Sequence, residues 1–222
     1  MHFELIDLGA SRSIADGDAL RGLQRAGADA ALVIGGDAQA RARALGGIDL
    51  SAKHVVAVEL GTECLAFHTG DDAASASMDT KVVGFARFRL GALAASTLVE
   101  LVRHERTSPD ALAAAQALFE TAGLAVSVCY DVPGRIVDNL LRPYLNSALR
   151  SVDDGLAAPA DLDQALRLGL GYPKGPLELL EASGLEAHFI VSSELHEAVG
   201  DPGFVPARRA RVHAMRKKAG LG

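Results

Sequence analysis

The 222-residue chain has no tryptophan and only two cysteines, and aromatic side chains fill 5% of its positions. A core of this size then has to be built from Ala, Val, Leu and Ile. Cys64 and Cys129 are too few for a disulfide framework. They fit a reducing compartment, and each reads as a small apolar residue in a strand. No apolar run reaches the roughly 18 residues that a membrane span requires. The start, MHFELIDLG, carries an acid at position 4 and no basic stretch, so it does not read as a secretory leader. The expectation is a cytoplasmic protein without membrane contact.

Positive charge is also in short supply. The net charge is −6, and the imbalance sits in residues 1–80, which hold 12 acidic and 6 basic side chains. The remainder is balanced, so neither part offers a nucleic-acid surface. The stretch ARRARVHAMRKKAG is locally basic and reads as a solvated helix. Several chemical signatures are missing too. The first strand-to-helix turn, LGASRSIADG, and the second, IGGDAQARA, do not spell G-x-G-x-x-G. Gly35-Gly36-Asp37 comes nearest, and an acid there repels a phosphate. The seven histidines include no H-E-x-x-H spacing, and there is no P-loop or G-x-S-x-G. No metal and no bound cofactor are expected on this chain.

What is present is a clear change of periodicity. FELIDL, ALVIG and HVVAVEL read as strands, with helices expected over ADGDALRGLQRAG and DAQARARALGG between them. That β-α-β-α-β order implies a parallel sheet. CLAFHT and KVVGFARF read as further strands, separated by a loop, GDDAASASMDT. Ser108 is a natural N-cap with Pro109 behind it, opening a helix to Gly123, and LAVSVCY is one more strand. After DVPG, the stretch RIVDNLLRPYLNSALRSVDD places Ile136, Val137, Leu140, Leu141, Tyr144, Leu145, Ala148, Leu149 and Val152 in a helical stripe, which Pro143 is expected to kink or divide. Further helices follow to the end. The fold class is therefore α/β plus all-α: a parallel-sheet domain over 1–129 and a helical domain over 130–222. Between the later helices, LGLGYPKGP carries three Gly and two Pro within residues 169–176, a composition that fixes one loop geometry.

Three stretches carry a resemblance: Leu98-Val99-Glu100, DVPGRIVDNLLRPYLNSALRSVDDGLA from 131, and LGLGYPKGPLELLEASGL from 168. In order and spacing they are similar to the 3-hydroxyacyl-CoA dehydrogenase family, over roughly residues 81–205. The first 80 residues look like the shortened, cofactor-less Rossmann domain before the second helical domain of duplicated bacterial members. The resemblance implies a reduced Rossmann-like domain followed by a C-terminal-type helical domain. It also implies NAD-linked oxidation of a 3-hydroxyacyl-CoA to a 3-ketoacyl-CoA, in which a His removes the hydroxyl proton, a Glu orients that His and an Asn holds the reacting oxygen.

Carried over residue by residue, the Glu is Glu100, the His position is Ala86, and the Asn position is Asp138, with Asn139 beside it. No His lies between residues 69 and 103. Base, amide and glycine fingerprint are altered together, so the expectation is a catalytically degenerate subunit or half. It would pair through the helical domain with itself or with an active dehydrogenase, and shape the acyl-CoA cleft. A non-catalytic acyl-CoA or small-ligand binding protein is the alternative, with Arg135, Arg142 and Lys174 as cations for the CoA phosphates. A third reading keeps activity with a reassigned base, Asp138 or His104.

Overall fold

The computed structural model describes residues 2–70 and 80–221. Most of the loop expected over 70–80 lies outside the described residues. Among the described residues, six strands form one sheet in simple chain order: β1 (Glu4–Asp7), β2 (Ala30–Ile34), β3 (Val55–Glu59), β4 (Val82–Arg87), β5 (Leu98–Arg103) and β6 (Ala125–Tyr130). β1 to β4 are parallel, β5 is antiparallel to β4, and β6 is parallel to β5. The parallel expectation therefore holds on each side of one reversal.

Helix α1 (Ala38–Gly46) connects β2 to β3 and α3 (Pro109–Thr121) connects β5 to β6. Strand side chains alternate between two cores, as the two-residue period of a strand requires. Ala30, Leu32, Ile34, Val55, Ala57, Val83 and Phe85 pack with Ala115, Leu118 and Phe119 of α3. Ala31, Val33, Val56, Val58 and Val82 pack with Leu45 of α1 on the other face. Both faces being covered explains why these strands read as unbroken apolar runs.

Two expected elements differ. CLAFHT is not a strand: it contains the short helix α2 (Ala66–Thr69), with Cys64 ahead of it rather than in a sheet. The reason is long-range, because the Asp131 carboxylate accepts hydrogen bonds from Leu65 N at 2.6 Å and Ala66 N at 2.8 Å. ADGDALRGLQRAG folds only as a five-residue 3-10 helix, Ala19–Leu23, capped by Asp18. Ser108 does precede α3, but its hydroxyl makes no capping bond.

The chain divides into two compact units, Met1–Arg89 with Ala95–Ile136, and Leu90–Ala94 with Val137–Gly222. The second is helical: most of α4 (Arg135–Asp153), then α5 (Pro159–Leu170), α6 (Pro176–Ser183), α7 (Leu185–Val199) and α8 (Arg208–Lys218). Pro143 lies inside α4 without ending it. The Gly-Pro loop has a specific task. The Asp163 carboxylate accepts hydrogen bonds from Leu177 N and Glu178 N at the start of α6, and a Cβ on Gly175 would sit 2.2 Å from it. Only glycine admits that approach, and Pro176 then opens the helix. Among the described residues, no helix is long and apolar enough to cross a membrane.

Candidate functional site

Ala86 and Glu100 are register partners across the antiparallel β4–β5 pair. Both are buried, Glu100 at 3% exposure. The carboxylate is engaged by the turn into α4. Its Oε1 accepts a hydrogen bond from Ile136 N at 2.8 Å, in the first turn of α4, and its Oε2 lies 3.8 Å from Arg135 Nε. The first amides of a helix have no intrahelical partner, and an anion placed there is favoured. Glu100 therefore caps α4 from a neighbouring strand. Arg135 adopts φ +52°, the one non-glycine positive φ among the described residues, directly after Gly134 at φ +73°. Its guanidinium reaches the Gly61 carbonyl at 2.5 Å. This left-handed step turns the chain from the loop after β6 into α4.

Asp138 is buried in the helical unit, where its Oδ1 accepts from Arg142 Nε at 2.7 Å. Arg142 lies 3.3 Å from His188 Nδ1, and His188 Nε2 lies 2.9 Å from Asn146 Oδ1. Asn146 Nδ2 in turn reaches Gly203 O at 3.1 Å and Ser192 Oγ at 3.4 Å. The donors run in one direction. Arg142 can only donate, so Nδ1 of His188 accepts and Nε2–H donates to Asn146. Burial, reinforced by the Arg142 charge, pushes His188 down to about 3, which keeps it neutral as this chain requires. Asp138, Arg142 and Asn146 are spaced i, i+4, i+8, so one buried face of α4 is polar. That spacing was the available signal for a network that the apolar stripe concealed, with His188 as its partner on α7.

The residues expected to meet phosphates divide. Arg135 and Arg142 are buried and engaged within the protein. Lys174 is exposed and lies 3.7 Å from Glu178. An open cavity of about 480 Å³ in the helical unit is lined by Ala160, Asp163, Gln164, Arg167, Leu168 and Glu178. Its two carboxylates outnumber its one cation, Arg167, which disfavours phosphate groups. Cys64 and Cys129 are free thiols, and burial pushes both up to about 11, so neither is a thiolate at neutral pH.

Comparison with known proteins bears on the fold. Residues 134–221 match the model of the 3-hydroxyacyl-CoA dehydrogenase C-terminal domain. A probable 3-hydroxybutyryl-CoA dehydrogenase of Deinococcus radiodurans is 30% identical over 129 residues, 56% of this chain and 46% of that protein. The mitochondrial hydroxyacyl-coenzyme A dehydrogenase of Sus scrofa is 41% identical over 100 residues, 45% of this chain and 32% of that protein. Each match thus spans under half of the relative's length. The solved structure of 3-hydroxybutyryl-CoA dehydrogenase from Escherichia coli superposes with a TM-score of 0.72 at 25% identity, covering 89% of this chain and 42% of that one. The chain thus carries a 3-hydroxyacyl-CoA dehydrogenase C-terminal domain over residues 134–221, behind a sheet of the kind found in these dehydrogenases.

Proposed function

We propose that this chain is a catalytically degenerate member of the 3-hydroxyacyl-CoA dehydrogenase family. It keeps the helical packing unit and has given up proton transfer and its own dinucleotide, in a reducing cytoplasmic setting. The observation that carries this reading is the Ala86–Glu100 pair. A methyl group stands across from the carboxylate that orients the general base in the family, and that carboxylate is bonded to Ile136 N instead. Absence of the base alone lowers the rate by about 10²–10⁴-fold. Asp138 does not replace it, because Arg142 holds its carboxylate. At the Asn position, a negative charge also opposes the developing oxyanion.

The helical unit has a use that needs no chemistry. Leu140, Leu156, Leu168 and Leu170 are 59–77% exposed there. Such side chains fit burial against a second copy or against an active dehydrogenase of the same family, where the pair would shape an acyl-CoA cleft. Acyl-CoA binding without a partner is less well supported, since the helical cavity sets Asp163 and Glu178 beside its one cation, Arg167, and of Arg135, Arg142 and Lys174 only Lys174 is exposed.

The direct test follows NADH absorbance in the purified chain with acetoacetyl-CoA, together with sedimentation of the chain alone. No turnover and a concentration-dependent dimer are expected. Robust turnover would remove the degenerate reading, and a strict monomer would leave a heterologous dehydrogenase as the partner.

A further inference from the structure

Open α/β sheets bind nucleotides outside the carboxyl ends of their strands, where the strand order reverses. Here β1 to β4 step in one direction, so there is no reversal among the parallel strands. Their carboxyl edge is also closed by the segment after β1. Glu59, at the end of β3, is 2% exposed. Its Oε1 accepts from Ser13 N at 2.7 Å and Ser11 Oγ at 2.9 Å, and its Oε2 accepts from Gly35 N at 2.7 Å. Arg87, at the end of β4, donates to Ser13 O at 3.0 Å and pairs with Asp18. Ser13 and Ile14 are buried beneath these contacts. A Cβ on Gly35 would stand 2.3 Å from Gly9 O, so the loops after β1 and β2 touch backbone to backbone. The residues at this edge therefore do not fit a dinucleotide.

We propose that Glu59 is a built-in anion. Its carboxylate takes the converging donors of two loops, Ser13 N and Ser11 Oγ from one and Gly35 N from the other, a donor set that suits a phosphate equally well. It thereby locks residues 9–18 across the sheet edge and excludes external phosphates. This rests on the reading that the chain has no dinucleotide of its own. Removing the carboxylate opens a latent site for inorganic phosphate.

The test compares the full chain with Glu59→Ala and Glu59→Ser by thermal unfolding, in phosphate against sodium chloride at equal ionic strength. The expected result is a saturable rise in Tm for the variants, about 5–10 °C at a hundredfold excess of phosphate over its Kd, and no rise for the unaltered chain. If Glu59→Ala does not fold in chloride, its recovery in phosphate is the same readout, and Glu59→Ser leaves a hydroxyl to hold one donor. Variants indifferent to phosphate, or an unaltered chain that responds equally, overturn the proposal. Saturable NADH fluorescence with the unaltered chain would instead overturn the cofactor-less reading. The two failures are separate.

Discussion

The two compact units differ in where their buried polar side chains bond. In the sheet unit, buried acidic and basic side chains reach backbone groups, even where they also pair with one another as Arg87 does with Asp18 and Arg41 with Glu63. Glu59 takes Ser13 N and Gly35 N, Glu100 takes Ile136 N, Arg135 gives to Gly61 O, and Arg41 gives to Gly35 O and Gly36 O. In the helical unit, buried polar side chains bond mainly to one another, from Asp138 through Arg142 and His188 to Asn146. The first arrangement fixes loops at strand ends, which have no ladder to hold them. The second fixes which face of α4 meets α7, because an apolar stripe alone tolerates rotation of one helix against another. Glu100, which stands across from Ala86 and accepts from Ile136 N, is one of these loop anchors.

The sharpest way to break this contrast is Asp138→Ala, which leaves Arg142 buried without its counter-charge. A loss of about 3–5 kcal/mol is expected in urea unfolding. Asp138→Leu combined with Arg142→Met should cost less than the sum of the single changes. A cost for Asp138→Ala below about 1 kcal/mol would mean that the network does not set the packing.

Acid offers the next test. His188 sits near pH 3 when folded and near its ordinary 6.5 when unfolded, so between those values the unfolded chain binds a proton that the folded chain refuses. Its contribution is whole above pH 6.5 and declines as pH falls toward 3, by an amount on the order of 5 kcal/mol. The unfolding free energy of His188→Gln should therefore vary less between pH 6.5 and 4 than that of the unaltered chain. Parallel curves would contradict the buried, neutral histidine.

In the sheet unit, Glu100→Ala orphans Ile136 N and should cost about 1–3 kcal/mol, with Glu100→Gln recovering part through its remaining oxygen. Ala86→His should overpack a buried position at a similar cost and yield no turnover of acetoacetyl-CoA. Turnover by that variant would show that only the base was missing. The smallest effect on folding belongs to Leu140→Glu, within about 0.5 kcal/mol. That substitution should nonetheless abolish association seen by sedimentation, and an unchanged dimer would place the contact elsewhere.

Much of this fold could be read from the sequence because its strands are buried on both faces and its later helices carry their own punctuation. Gly171, Gly175 and Pro176 mark the α5–α6 turn by necessity. The segments that misled were those whose conformation is set from a distance. CLAFHT looks like a strand until Asp131, 65 residues on, caps its amides. ADGDALRGLQRAG looks like a helix until Asp18 and Ser13 are drawn to Arg87. That position 86 holds Ala rather than His could be read directly. The bond from Ile136 N to Glu100 could not, since no local pattern links a strand residue to a helix amide 36 positions later.

One short loop has a practical consequence for dissection of the molecule. Leu90–Ala94 belongs to the helical unit although the sheet unit flanks it on both sides. There Ala92 N donates to Ser183 O at 3.2 Å, and a Cβ on Gly91 would lie 1.8 Å from that same oxygen. The helical unit is thus discontinuous in the gene. A fragment that begins at residue 137 would leave behind the strand of chain that finishes α6, whereas a circular permutant that keeps 90–94 joined to it would carry the unit intact.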